Sequence, residues 1–191
     1  MRKLKYAILG LINRKPMTGY DLTIEFDKEL ASFWYAKHSQ IYPELKKLTD
    51  ENLITFETVI QGEKLEKKVY TITEKGKQEL KNWILRDEPL EPTPKDVFRL
   101  RAYFIELMNK EEIIQQFTAQ LEKRQKKLAV LQSAMENLLE TKDISNIISE
   151  EFGDYIVLKG AIMREQAYID WLNECLAAVK ASSYKTPSPG L

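Results

Sequence analysis

The chain has 191 residues, 43% of them hydrophobic and 30% charged, with 29 basic side chains balancing 29 acidic ones. That length accommodates two small domains with packed cores, and no uncharged run is long enough to span a bilayer. One cysteine, Cys175, and one histidine, His38, exclude an internal disulfide, a multi-cysteine zinc site and a cluster of histidine ligands.

Leu4, Ala7, Ile8, Leu11 and Ile12 recur at helical spacing and predict a first helix over residues 2–13. Its basic start and apolar run imitate a secretory signal. The run is short and no small-residue cleavage site follows, so an amphipathic helix of a cytoplasmic protein is expected. The segment NRKPM breaks this helix. Thr18 is placed as the cap of a second, in which Tyr20, Leu22, Ile24, Phe26 and Leu30 supply apolar contacts. The stretch ASFWYAK, whose Trp34 and Tyr35 are expected to pack, leads into a third helix over residues 39–51. There Ile41, Leu45 and Leu48 share one face, while Tyr42, Lys46 and Lys47 lie off it. Pro43 is placed near the start, where its missing N–H costs little. Residues 53–60 and 67–73 are rich in Val, Ile, Thr, Phe and Tyr and predict two strands joined by the turn QGEKLE. A fourth helix starts at Thr73 and runs through Trp83 and Ile84. A helix, a strand, a charged tip and a second strand is the order of a recognition helix and wing in a winged helix-turn-helix. It makes DNA the expected partner.

Residues 87–95, DEPLEPTPK, hold three prolines and no periodicity, and mark a linker. Beyond Asp96 the chain reads as wholly helical. Val97, Leu100, Arg101 and Phe104 begin one helix. Residues 111–140 form a long one with the seam Ile114, Phe117, Leu121, Arg124, Leu128, Leu131, Met135 and Leu138. The segment ETKDISNIISEE breaks it. Residues 152–180 repeat the pattern with Tyr155, Leu158, Ile162, Glu165, Ile169, Leu172, Leu176 and Val179. Both seams have heptad spacing. Residues 182–191 read as a disordered tail. The expected fold is therefore mainly α with a small β-hairpin wing. A winged helix-turn-helix DNA-binding domain spans 1–86, a linker 87–95, and a helical domain 96–181. Two long helices with apolar seams can pack on each other and place any surplus face against a second subunit. A homodimer also suits two symmetric half-sites on DNA.

Charge is unevenly divided. Residues 1–86 carry 16 Lys and Arg against 12 Asp and Glu, while residues 87–191 carry 13 against 17. The basic half coincides with the winged-helix pattern. Each seam has one charged interruption, Arg124 and Glu165. The first reading pairs them across the packed helices, setting register. The second has Arg124 line a pocket and grip a ligand carboxylate with its guanidinium fork.

The strings LKYAILGLI, MTGYDLTIEF, FWYAKHSQIYPELKKLTDENLI and EKKVYTITEKGKQEL resemble the PadR family of bacterial transcriptional regulators. The likeness is close over the first 86 residues and looser through KDVFRLRAYF and REQAYIDWL. It implies a homodimer with an N-terminal winged helix and a C-terminal helical domain for dimerisation and effector sensing. Within the family the resemblance is to repressors of phenolic acid decarboxylase expression. It implies release from operator DNA by a small phenolic acid such as p-coumarate or ferulate. A regulator of the same type answering a different small molecule, such as a drug, is the alternative.

For double-stranded operator DNA, the start of the third helix offers Lys37, His38, Ser39, Gln40 and Tyr42. Gln pairs with adenine and Ser with several bases, while Lys37, Lys46 and the Tyr42 hydroxyl suit phosphates. Lys64, Lys67 and Lys68 offer further contacts from the wing. Equally, His38 could cap the helix, Tyr42 could pack at a helix interface, and the wing lysines could be an ordinary solvated tip. A phenolic acid needs an apolar slot, a cation for its carboxylate and a polar group for its phenol. Leu128, Leu131, Met135, Leu158 and Ile162 could form the walls, with Asp154 or Tyr155 at the phenol and Arg124 or a residue of the winged half at the carboxylate, in a pocket expected between the two domains. Each could instead be a plain core residue. No catalytic motif is present: there is no G-x-S-x-G, Walker loop, G-x-G-x-x-G or H-E-x-x-H, so an enzyme is not expected, nor a cofactor, a metal or a membrane partner. A winged helix that binds protein would carry an apolar recognition surface instead of Lys, Ser, Gln and His.

Overall fold

The computed structural model describes residues 2–28, 37–61, 65–90 and 92–182, with the side chains of Lys28, His38, Gln61 and Leu65 outside that description. The chain divides into two compact units, Met1–Leu90 and Glu91–Leu191. The first contains α1 (Lys3–Arg14), β1 (Met17–Thr18), α2 (Gly19–Lys28), α3 (His38–Asp50), β2 (Ile54–Gln61), β3 (Leu65–Ile72) and α4 (Glu74–Ile84). The second contains α5 (Val97–Tyr103), a 3-10 turn (Ile105–Leu107), α6 (Lys110–Thr141) and α7 (Glu150–Ala181). Leu30, Trp34, Tyr35 and the tail beyond Ser182 lie outside the described residues.

In the first unit the apolar stripes of α1, α2 and α3 meet over one face of the sheet. Ile8, Leu9, Leu22, Ile41, Leu45 and Leu48 are at most 1% exposed. The sheet is antiparallel in the order β1-β3-β2, with Ile54 opposite Ile72 and Met17 opposite Tyr70. Strand β1 has no counterpart in the sequence reading, because two residues carry no periodicity. Thr18 does cap α2. Its Oγ1 accepts from the Asp21 N–H at 3.1 Å, and the Asp21 carboxylate accepts from the Thr18 N–H at 2.9 Å. These are the two halves of a capping box. Tyr20, expected to supply an apolar contact, is 65% exposed, since it falls on the outer side of α2.

Helix α3 ends in a left-handed residue, Asn52, at φ 59°. The Leu53 N–H donates to the Leu48 carbonyl and the Asn52 N–H to that of Thr49, both at 2.9 Å. That pair of bonds is a Schellman ending, with asparagine in the position glycine commonly takes. It turns the chain directly into β2. Thr73 then caps α4, its Oγ1 accepting from the Gly76 N–H at 3.0 Å. Gly76 presses against the start of β2, where a Cβ would strike the Leu53 carbonyl oxygen.

In the second unit α6 and α7, each of 32 residues, run antiparallel. Lys110 at the start of α6 donates to the Lys180 carbonyl at the end of α7 at 3.1 Å, and Lys142 pairs with Glu151 at the other end at 3.8 Å. Phe117, Leu128 and Leu131 on α6, and Ile169, Leu172 and Leu176 on α7, are buried. Phe98 and Ala102 of α5 pack on this pair, and the Phe98 ring meets that of Phe117 edge-on at 5.1 Å. The residues by which the sequence marked this helix fall elsewhere: Val97, Leu100 and Phe104 are 62%, 60% and 48% exposed.

Candidate nucleic-acid interface and effector residues

Burial of Ile41, Glu44, Leu45 and Leu48 fixes which side of α3 faces outward. Ser39, Gln40, Tyr42, Pro43, Lys46 and Lys47 are exposed. Ser39, Tyr42 and Lys46 follow one another at spacings of three and four, so they form one stripe. Lys37 precedes the helix in an extended conformation, and its N–H donates to Oε1 of Gln40 at 3.3 Å. One end of the Gln40 amide is thus turned back to cap α3, which leaves its Nε2 donor for an outside partner. Pro43 is the sixth residue of α3, past its first turn. It cannot supply the N–H that the Ser39 carbonyl would accept, and that carbonyl lies on the exposed side. The His38 side chain and the whole of Lys64 lie outside the described residues.

The wing lysines diverge. Successive strand residues point to opposite faces, so Lys68 shares the face of Tyr70 and Ile72, the face that packs on the helices, and Lys67 takes the reverse face. The Lys68 ammonium sits 4.1 Å from the centre of the Phe56 ring. Lys67 lines a shallow groove with Thr18, Tyr20, Asp21, Val59 and Val69. Hydrogen bonds from the Thr18 backbone and hydroxyl hold the Asp21 carboxyl below its ordinary range, and Lys67 adds to the effect. Burial, aided by the neighbouring Tyr42 phenol, pushes the Tyr70 phenol up.

The underside of α3 carries residues that the sequence reading missed. Glu44 is only 7% exposed and accepts from Arg2 Nη2 at 2.6 Å and Nε at 2.9 Å. The same guanidinium bonds Glu51, two turns further along α3, and holds its carboxyl below the usual range. Lys5 pairs with Glu79 at 2.8 Å and with Glu51 at 3.6 Å. Tyr6 donates to Glu79 at 3.1 Å and stacks on Trp83 at 4.6 Å. The available signal was the i, i+7 spacing of Glu44 and Glu51, but their partner lies 42 residues from Glu44, beyond local pattern.

In the helical unit the two charged interruptions meet. Arg124 Nη1 donates to both oxygens of Glu165, at 3.0 and 3.1 Å. Its guanidinium stacks 3.8 Å from the centre of the Tyr168 ring, and Lys127 reaches Glu165 at 2.7 Å. Tyr168 donates to Asp96 at 2.8 Å, and Asp96 also caps α5 by accepting from the Arg99 N–H at 3.0 Å. Burial, then the bond to Asp96, pushes the Tyr168 phenol up to about 12. Asp96 and Tyr168 were not among the predicted residues.

Of the predicted effector residues, Leu128 and Leu131 are buried in the α6–α7 seam, while Met135, Asp154, Tyr155 and Leu158 are half-buried. The Tyr155 hydroxyl accepts from Lys159 at 3.2 Å. The antiparallel register sets Met135 level with Asp154 and Tyr155, and Arg124 level with Glu165. Eleven residues of helix separate Arg124 from Met135, about 16 Å. A single ring bearing a three-carbon acid does not bridge that distance, so the predicted set divides into two separate ends. A cavity of about 610 Å³ in this unit is lined by other residues, among them Phe98, Arg101, Phe104, Met108, Gln116 and Phe117. Among the described residues no cluster suits a metal ion, and no helix is long and apolar enough to cross a membrane.

A helix packed on α1 and α2, with a polar outward face and a two-stranded wing beside it, defines a transcriptional regulator of the winged helix-turn-helix class. Residues 8–82 match the family model described as Transcriptional regulator PadR-like family, and residues 94–180 match Virulence activator alpha C-term. The Negative transcriptional regulator PadR of Bacillus subtilis is 52% identical over 179 residues, covering 94% of this chain and 98% of that protein. The crystal structure of Bacillus subtilis PadR in complex with operator DNA superposes with a TM-score of 0.87 at 53% identity, covering 93% of this chain and 99% of that one. The same protein in complex with p-coumaric acid gives a TM-score of 0.82 at 49% identity, covering 94% and 99%. The chain belongs to the PadR-like family of transcriptional regulators.

Proposed function

We propose that the chain is a cytoplasmic homodimeric repressor of phenolic acid decarboxylase expression, which binds operator DNA through α3 and the wing and leaves it when a phenolic acid such as p-coumarate binds. The observation that carries the reading is the outward stripe of α3, Ser39, Tyr42 and Lys46, on a chain about half identical to a PadR solved both with operator DNA and with p-coumaric acid. In this reading residues 1–86 form the DNA-binding domain and residues 96–181 the dimerisation and effector-sensing domain. Ser39, the free end of Gln40 and His38 read bases. Lys37, Tyr42, Lys46, Lys64, Lys67 and Lys68 hold phosphates. The exposed apolar face of α5, with Val97, Leu100 and Phe104, supports association with a second copy.

Ligand release needs only that the effector favour a dimer whose two recognition helices no longer match their half-sites. The effector is assigned to the end of the helical pair at Met135, Asp154, Tyr155 and Leu158, extended towards Leu131. Arg124 lies at the middle of the pair, where Glu165 already holds the guanidinium, and Leu128 lies between it and Leu131. A mobility-shift titration on promoter DNA of a decarboxylase gene, or of the chain's own gene, tests the reading. Tight binding that p-coumarate reverses is the expected result. Tight binding indifferent to p-coumarate moves the effector to another chemical class, and absence of specific binding to either promoter overturns the repressor reading.

A further inference from the structure

We propose that Gly19 is a positioning residue for DNA binding: by lacking a Cβ it lets the Tyr42 ring lie against the start of α2, and so sets where the Tyr42 hydroxyl meets the DNA backbone. The inference rests on the DNA-binding reading of α3 given above.

Gly19 is the buried first residue of α2, and Tyr42 belongs to α3, 23 positions later in the chain. A Cβ on Gly19 would stand 2.6 Å from Cε1 of Tyr42, 3.0 Å from Cζ and 3.3 Å from Cδ1. Carbon atoms in contact sit about 3.5–4.0 Å apart, so a methyl group there forces one partner to move. The partner with room is the ring. Tyr42 is 57% exposed, and its side chain can swing outward without opening the core. Gly19 itself is tied into the sheet through its neighbour Thr18, which pairs with Val69 on β3 and caps α2. Glycine is also not required here for the helix, since alanine is the better helix residue. The strain of a side chain at position 19 therefore falls on the place of the Tyr42 phenol and leaves the fold intact.

That place matters because Tyr42 stands between Ser39 and Lys46 on the outward stripe of α3. A phenolic hydroxyl there can donate to a phosphate oxygen and fix the register of the helix on the duplex. Being uncharged, it displaces no counterion, so its loss lowers affinity without changing the salt dependence. Loss of a lysine changes both, and so does a general loosening of the helix.

The test measures binding of the full chain to the promoter duplex that the wild type binds, by fluorescence anisotropy over a series of salt concentrations. The variants are Gly19→Ala, Tyr42→Ala and the two together, each also followed by thermal unfolding. The expected result is an affinity loss of about tenfold for either single substitution, the size of one hydrogen bond to a charged group. The double variant loses no more than Tyr42→Ala, because without the ring the three atoms nearest the methyl group are gone. Salt dependence and melting temperature stay at wild-type values for Gly19→Ala. Wild-type affinity in Gly19→Ala, losses that multiply in the double variant, a reduced salt slope, or a melting temperature that falls with the affinity each overturn the proposal. If the wild type binds no promoter duplex, the DNA-binding reading falls and takes this inference with it.

Discussion

Replacing Glu165 by alanine tests the polar chain that ties α5, α6 and α7 together. The Glu165 side chain is 8% exposed and holds Arg124, 23% exposed, and Lys127, 51% exposed. Burial pushes its carboxyl up, but the hydrogen bonds from Lys127 and Arg124 outweigh that and keep it below its ordinary 4.5. Alanine removes the anion and leaves the Arg124 guanidinium between two helices with the face of Tyr168 and the charge of Asp96. Removing one member of a buried pair costs about 3–5 kcal/mol. The cation–π contact and the remaining exposure of Arg124 offset part of this, and Lys127 simply returns to water, so about 2–3 kcal/mol is expected. For a chain of this size that lowers the melting temperature by about 4–12 °C.

Urea unfolding followed by circular dichroism reads the change, at fixed protomer concentration because association adds to apparent stability. A double variant, Arg124→Met with Glu165→Leu, removes both charges and fills the space with apolar groups. It should recover most of the loss, as apolar replacements of buried pairs do. Since the folded Glu165 carboxyl lies below its ordinary value, its contribution is complete above pH 4.5 and is lost as pH falls through the depressed folded value. A single variant within about 0.5 kcal/mol of wild type, or a double variant that costs the sum of its parts, would refute the argument.

Tyr168 gives an alkaline counterpart. Its folded phenol lies near 12 against an ordinary 10.0, so its stabilisation is full below pH 10.0 and is lost as pH rises to about 12. An ultraviolet titration of tyrosinate should lose its latest-titrating phenol in Tyr168→Phe, while the raised phenols of Tyr6 and Tyr70 remain; an unchanged titration in that variant sinks the assignment. Lys46→Ala and Lys68→Ala should each weaken DNA binding on any sequence and lower the salt slope by about one, measured by anisotropy; an unchanged slope removes that lysine from the interface. Gly76→Ala should cost about 2–3 kcal/mol in urea unfolding, since its Cβ would meet backbone that has nowhere to go. Arg2→Lys should weaken DNA binding nearly as much as Arg2→Ala, because an ammonium cannot fork between Glu44 and Glu51. Full rescue by lysine would show that charge alone is enough.

The sequence makes long amphipathic elements legible and short or distant ones illegible. The stripes of α1 and α3 and the seams of α6 and α7 stand out because many residues repeat one period. Arg124 and Glu165 stand out as charges inside apolar seams, and they do meet. Helix α5 is different. Over seven residues, Val97 with Leu100 and Phe98 with Ala102 are equally good stripes, and only the aromatic partners on α6 and α7 choose the second. The effector residues show another limit. Seam spacing says which residues share a face but not how far apart they lie along the axis, and Arg124 and Tyr155 share a seam at levels about 16 Å apart. Glu44 reads as a surface carboxylate until Arg2 is brought against it from the far end of the domain.

The recognition helix is held at several independent points, and what they hold differs. Arg2 grips Glu44 and Glu51, which are two turns apart and so fix the tilt of the α3 axis rather than a single position on it. The Schellman turn at Asn52 ties the far end of α3 to β2, which fixes the helix relative to the wing. Ile41, Leu45 and Leu48 set its rotation by burying one face completely. With tilt, rotation and wing already determined from within the domain, the outward side chains need not be constrained by one another. Ser39 and Lys46 are exposed, and in the proposed reading they adapt to bases and phosphates. Tyr42 is the exception, because its ring is seated against Gly19. In the proposed reading, release of an operator on a small ligand gains from this division. A rigid helix binds tightly only when both half-sites are in register, so a modest shift in the dimer costs contacts on a whole stripe at once.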